Sequence, residues 1–250
     1  FDKSFKDKEL KDRMKHTAKV LHHFFPKEFS KATSTIRNLI EYIQKEPFTK
    51  SGFEFMFFPD YIETYGISDF EDAVKLMEFV TPFASCEFAV RPFIIKYPEK
   101  MIQQMYQWSL HSNHHVRRLS TEGIRPRLSW AMALPSMKKN PKHILPILEN
   151  LKNDPSEYVR KSVANNLNDI SKHHPKLVLD LAGEWIGQTS TTDRVLKHAL
   201  RTLLKKGNQT SMKLFGFGPI KEILVEEFSV KNSTPKIGES TELFLKFSNR

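Results

Sequence analysis

The sequence predicts an all-α fold: a HEAT-like solenoid of paired helices with a concave basic groove, followed by the start of a small β segment. Three observations point there. Amphipathic stretches come in pairs that repeat roughly every 40 residues, the signature of a helical-repeat stack. Prolines punctuate the junctions, at positions 82, 98, 141, 155 and 175. Glycine is scarce, 9 of 250 residues, and neither GxGxxG nor GxxxxGK[ST] occurs, which argues against a loop-rich β fold and a phosphate-cradling loop.

In chain order, residues 7–24 and 31–45 read as amphipathic helices. Phe53, Phe55, Phe57 and Phe58 are expected to pack a helix junction. Helix pairs then follow over 69–80 and 84–97, 98–110 and 113–125, 141–152 and 155–172, and 175–187 and 192–206. Asp154-Pro155-Ser156-Glu157 is a helix start, with Asp154 as cap, Pro155 at the first helical position and Glu157 reaching back. Lys205-Lys206-Gly207-Asn208 is a stop, with cations at the negative end of the helix and a glycine free to take positive φ. Leu214-Phe215-Gly216-Phe217-Gly218-Pro219 breaks the helical pattern. Residues 223–230 and 242–247 then alternate with period two, as strands do. Two strands alone are marginal in water, so residues 214–250 read as a linker and the opening of a truncated β domain, and residues 1–213 as the helical body.

Composition narrows function. The net charge is +10, which favours a polyanionic partner. The single cysteine, Cys86, excludes an internal disulfide framework and fits a reducing cytoplasm. No apolar run is long enough to span a bilayer. The chain begins at Phe1 and ends on a strand-like stretch, so it reads as a piece of a longer protein. Histidines cluster at His111, His114 and His115, but without HExxH spacing they read as surface residues, and no metal is expected. Cys86 reads as a packed small residue. No GxSxG elbow occurs, and a Ser-His-Asp assembly stays open.

The informative stretch is 113–172. Val116-Arg117-Arg118 aligns with Val159-Arg160-Lys161 at a shift of 43 residues. Val159, Val163, Leu167 and Ile170 form the core stripe of the second helix, and Lys161, Asn165 and Asp169 share another face at i, i+4, i+8. The shift places Lys161 over Arg118 and Asn165 over Glu122. Arg91 and His198 extend the column, with Lys197 and Arg201 beside His198. A cation row of this kind is expected to track a phosphate backbone. Glu122 stands among Arg117, Arg118, Arg125 and Arg127. Its bland reading is an i, i+4 ion pair with Arg118; its functional reading is a carboxylate placed to stabilise a cation. Asp169 lies on the corresponding face one repeat later. Trp130 is either core or a surface that stacks on a base or sugar.

The run EGIRPRLSWA (122–131), then PILENLKNDPSEYVRKSVANNLNDISKHHP (146–175), then LKHALRTLLKKGN (196–208) resembles the bacterial DNA alkylation-repair glycosylases of the HEAT-repeat superfamily, the AlkC-like branch above all. Ser129 departs from a proline expected in many relatives. The resemblance implies a cytoplasmic, nucleoid-associated monomer that excises cationic alkylated bases, of the 3-methyladenine and 3-methylcytosine class, from double-stranded DNA. It implies no cofactor, no metal, no membrane and no deep base flipping. Glu122 and Asp169 would be catalytic. Trp130, Asn165 and Arg160 would position the lesion or sugar. Arg91, Arg118, Lys161, Lys197, His198 and Arg201 would hold phosphates. The β end is similar to the immunoglobulin-like extension of some members. A non-enzymatic nucleic-acid scaffold and a protein–protein adaptor are the alternative readings.

Overall fold

A computed structural model describes residues 3–46, 52–218 and 223–249. Pro219, the end of the breaker cluster, lies outside these ranges. The chain divides into two units, Phe1–Lys206 and Gly207–Arg250.

The first unit is helical. Its elements are α1 (Leu10–Phe24), α2 (Phe29–Lys45), α3 (Phe57–Tyr65), α4 (Phe70–Val80), α5 (Val90–Lys96), α6 (Pro98–Ser109), α7 (His114–Glu122), α8 (Pro135–Lys139), α9 (Leu145–Leu151), α10 (Glu157–Ser171), α11 (Pro175–Trp185), α12 (Ser190–Ala199) and α13 (Arg201–Lys205). Three of the four expected pairs pack together, α6 with α7, α9 with α10 and α11 with α12, while α4 packs on α2 and α3 in place of the expected partner α5; α10 also packs on α11. The second helices of successive pairs also touch, α7 against α10 and α10 against α12, so α10 is the central strut of this half. At the other end α1 packs on α3 and α2 on α4.

The α10 stripe behaves as its period requires: Val159, Val163, Leu167 and Ile170 are all buried. Its start differs from expectation. The helix begins at Glu157 with Ser156 in the cap position, and Asp154 does not cap it in the expected way. Asp154 instead takes Arg117 on both oxygens, at 2.6 and 3.1 Å, and accepts from the Ser156 N–H at 2.8 Å. A two-toothed guanidinium partner is a stronger claim on a buried carboxylate than an exposed cap. The Arg117 pKa is raised accordingly by that hydrogen bond.

Three helices escaped the period analysis. In α3 the sequence FFPDYIETY buries Phe58, Tyr61 and Ile62, and its proline falls in the first turn, where no intrahelical donor is lost. Phe58 packs the junction as expected, with its ring centroid 4.5 Å from that of Phe57, while Phe53 is exposed. Short α8 fills the long connection between pairs. The stretch expected as one helix over 192–206 breaks at Leu200 into α12 and α13. The stop signal is where it was expected, with Gly207 at φ 66°. Among the described residues no helix is long and apolar enough to cross a membrane.

The second unit holds α14 (Gln209–Leu214), the third missed helix, and an antiparallel hairpin of β1 (Ile223–Val230) and β2 (Leu243–Asn249). Asn208 caps α14 by accepting from the Ser211 N–H at 2.9 Å. The hairpin register runs from Ile223↔Asn249 to Val230↔Leu243, with a bulge between Val225 and Glu227. Val225, Phe228, Phe244, Leu245 and Phe247 are all exposed. A two-stranded ribbon that buries so little apolar surface has little stability of its own.

Candidate active site

Glu122 ends α7 and faces α10, where it enters a chain of alternating charges. One oxygen takes Arg125 Nη1 at 2.6 Å and Arg118 Nη2 at 3.4 Å. The other accepts from Ser162 Oγ at 2.5 Å. Arg125 continues to Asp169 on α10, at 2.9 Å. Asp169 closes that end on Lys172 at 3.0 Å. At the opposite end Arg118 pairs with Glu87 and donates to Ser85 Oγ at 3.1 Å. The order is therefore Glu87, Arg118, Glu122, Arg125, Asp169, Lys172. Asn166 bolts the two helices together beside it, donating to the Thr121 carbonyl at 2.8 Å.

Local sequence dictates this geometry. Glu122 follows Leu119 by three residues, so it inherits the edge of the buried stripe, and Gly123 then lets the chain turn. A Cβ on Gly123 would sit 2.5 Å from Val90, so only glycine fits. The turn brings Arg125 back over its own helix end and across to Asp169.

Two expectations change. Glu122 is not a free carboxylate among loose cations: its side chain is 6% exposed and both oxygens are engaged. The bland i, i+4 pair with Arg118 exists, but Arg125 is the nearer partner. Asp169 is similarly enclosed. Burial works against the Arg125 charge, yet Glu122 and Asp169 on either side outweigh it and raise its pKa. Arg91 leaves the phosphate row altogether. It is fully buried and donates to the carbonyls of Met132 at 2.6 Å, Gly123 at 2.8 Å and Arg125 at 3.0 Å. Helical register gave its column but not its depth. Burial, with Arg125 adding to it, pulls its pKa down to about 10. Arg91 thus holds the 123–132 loop that carries Arg125 and Trp130.

The face of α10 that carries Lys161, Asn165 and Asp169 runs from solvent into the core. Lys161 is exposed and pairs with Glu157 at 2.9 Å; Asn165 is half-buried and accepts from Arg201 Nη2 at 3.2 Å; Asp169 is buried. Arg160 folds back to donate to the Asp154 and Pro155 carbonyls, at 2.6 and 2.9 Å. Between α10 and α12 lies a cleft of about 210 Å³ lined by Arg160, Lys161, Thr191, Arg194 and His198. Burial, with Arg201 and Lys161 nearby, lowers the His198 pKa. Burial also lowers that of Arg201. Lys197 is exposed. The row analysis missed Arg194, four residues before His198 on the same face; that spacing was its signal.

Glu87 was missed too: it fell inside the helix expected over 84–97, but α5 begins only at Val90, so Glu87 lies in the connection before it. It is the most exposed carboxylate of the chain of charges, at 17%. It borders a cavity of about 330 Å³ shared with Phe53, Phe88, His115, Arg118 and Tyr158. The Arg118 guanidinium sits 5.0 Å from the centroid of the Tyr158 ring. Trp130 is 67% exposed and holds φ 63°, a left-handed conformation that costs a non-glycine residue on the order of 1–2 kcal/mol. It faces a different cavity, with α1 and α3.

This geometry coincides with sequence kinship. Residues 75–209 match the family model described as DNA alkylation repair enzyme. A relative from Bacillus subtilis (strain 168), the uncharacterized protein YhaZ, is 44% identical over 233 residues, covering 93% of this chain and 63% of its own length. Among solved structures, the Pseudomonas fluorescens alkylpurine DNA glycosylase AlkC, bound to DNA containing an abasic site analog, superposes with a TM-score of 0.77 at 35% identity, over 95% of this chain and 64% of that one. AlkD2 from Streptococcus mutans superposes with a TM-score of 0.57 at 25% identity, over 76% and 88%. The chain thus spans a little under two thirds of the length of its first two relatives. With more than half of its residues inside the family model and the charged chain of α7 and α10 within that span, the protein belongs to the DNA alkylation repair enzyme family.

Proposed function

We propose that the protein is a DNA N-glycosylase that removes cationic alkylated bases, of the 3-methyladenine and 3-methylcytosine class, from double-stranded DNA. One observation carries the reading: two buried carboxylates, Glu122 and Asp169, are clamped by one arginine a single helix away from a cleft rimmed by exposed cations. Likeness to a DNA-bound alkylpurine glycosylase supports it.

The chemistry suits a fixed negative site. An alkylated cationic base leaves with the glycosidic electron pair and needs little help from an acid. Positive charge develops on the deoxyribose as the bond stretches. Preplaced carboxylates in a low-dielectric setting stabilise that charge without reorganising. Arg125 holds Glu122 and Asp169 in position. Arg118, whose 3.4 Å contact with Glu122 is the longest in the chain of charges, is the partner that yields to an approaching sugar. Glu87, the outermost carboxylate, meets the substrate first and belongs in the catalytic set. Lys161, Lys197, His198, Arg201 and the added Arg194 contact phosphates, which position the duplex without reading its sequence. Arg160 and Asn165 position the sugar or lesion, while Trp130, which faces the cavity beside α1 and α3, leaves this set. The hairpin is read as the first strands of an immunoglobulin-like domain, and the enzyme as a cytoplasmic monomer that needs no metal or organic cofactor.

The test is incubation with methylated duplex DNA and chromatography of the released bases. Release of 3-methyladenine or 3-methylcytosine is expected. Tight, salt-sensitive binding with no released base would instead assign the chain to a non-enzymatic scaffold, the reading that the fully engaged Glu122 favours.

A further inference from the structure

A second cavity, of about 210 Å³, opens between α1, α3 and the Trp130 loop. Its floor carries Asp60, 9% exposed, whose Oδ2 is buried with no hydrogen-bond partner among the described residues. Leaving such an atom unsatisfied costs on the order of 1–3 kcal/mol, so its retention calls for an explanation. Glu63, one helical turn on, points to the same cavity and forms no hydrogen bond or ion pair with any other described residue. The walls are flat and soft: Met14, Met56, Phe88 and Trp130. Lys11 closes one side, donating to the Trp130 carbonyl with its ammonium 5.3 Å from the centroid of the Phe88 ring. Trp130 holds its left-handed φ of 63° at this wall, and strain of this kind gathers at ligand sites.

We propose that this cavity binds a single planar nitrogen heterocycle with an amidine edge, a ring nitrogen beside an exocyclic amino group, as in adenine and cytosine. The unpartnered Asp60 oxygen accepts from the amino group, Glu63 donates its proton to the ring nitrogen, and the thioether and aromatic walls cover the ring faces. Burial first, then the neighbouring Asp60, lifts the Glu63 pKa to about 7, against the pull of Lys15 and Lys11, so a protonated donor is at hand near neutrality. The volume admits one base. Under the glycosylase reading, on which this last step rests, the occupant is a freed base of the 3-methyladenine kind, whose amidine edge stays open; 3-methylcytosine carries its methyl on the ring nitrogen of that edge and does not fit. It is retained beside the site, away from the carboxylates that acted on its sugar.

Equilibrium dialysis of the whole chain against radiolabelled 3-methyladenine tests the site without any DNA. Saturable binding is expected, displaced by adenine and cytosine but not by uracil, whose edge offers a carbonyl where the amino group should be. Asp60→Ala and Glu63→Ala, which remove the acceptor and the donor outright, should each weaken binding at least tenfold while base release from methylated DNA stays within twofold in single turnover. No saturable binding by wild type, or equal displacement by uracil, overturns the proposal whether or not the chain releases bases. Binding by a chain that releases no base from DNA would keep the site and remove the glycosylase reading instead.

Discussion

Two charged regions share the helix α10 and differ in one variable, burial. On its inner side Asp169 joins Arg125 and Glu122 in a network whose side chains are at most 14% exposed. On its outer side Lys161 and Glu157 pair at 2.9 Å with more than half of each side chain in water. The residue types match; the physics does not. Inside, each charge depends on its partners, because a buried ion left alone is costly. Outside, solvent already satisfies both ions and salt screens them. The inner set therefore has fixed geometry and little freedom, as preorganised catalysis requires. The outer set stays adaptable, which suits a phosphate backbone of any sequence.

Four perturbations probe this contrast. Arg125→Ala should have the largest effect, because it strands two buried carboxylates at once. Stability should fall by about 3–5 kcal/mol, read as a drop in the urea midpoint. A fall below about 1 kcal/mol would mean the inner network behaves like the outer one. Next, the double variant Lys161→Ala and Arg194→Ala should weaken DNA binding and flatten the plot of log K against log salt by roughly 2, about one unit for each lost phosphate contact. Its stability should change by less than about 0.5 kcal/mol.

The third perturbation concerns Glu63, a half-buried acid with no hydrogen-bond or ion-pair partner among the described residues. Its carboxyl holds a proton up to about pH 7 when folded, against 4.5 ordinarily. The folded state therefore binds the extra proton between those values. The associated stability is present at low pH and is lost as pH rises through that window. Glu63→Gln should raise the urea midpoint at pH 8 and leave it unchanged at pH 4. The smallest effect belongs to Glu157→Gln, which should not move the midpoint measurably in physiological salt.

The sequence made the helical body legible where period was long and regular. Val159, Val163, Leu167 and Ile170 declared α10, and Gly207 declared the end of α13. It failed where elements were short or aromatic: α3, α8 and α14 are too brief for a period to register. The candidate site was half legible. The charge pattern around Glu122 marked a stretch that the structure folds into a buried ion-pair network, and the place of Asp169 on its face of α10 followed from register. Register fixes the direction of a side chain around its own helix but says nothing about a neighbour's depth. That is why Arg91 read as a surface cation and proved to be a buried clamp for three carbonyls. It is also why Glu122 read as free and proved to be held by Arg125 and Ser162. Glu87 read as part of a helix over 84–97, and only tertiary contact brings it, in the connection before α5, beside Arg118.

The central claim is that the Glu122 carboxylate acts on a breaking sugar–base bond. Single-turnover release of 3-methyladenine by Glu122→Gln, with DNA affinity and the urea midpoint measured on the same preparation, tests it most directly. Release slowed by about two to three orders of magnitude, the usual cost of removing a preorganised electrostatic partner, in a folded protein that still binds DNA is the predicted result. Release at the wild-type rate would contradict it.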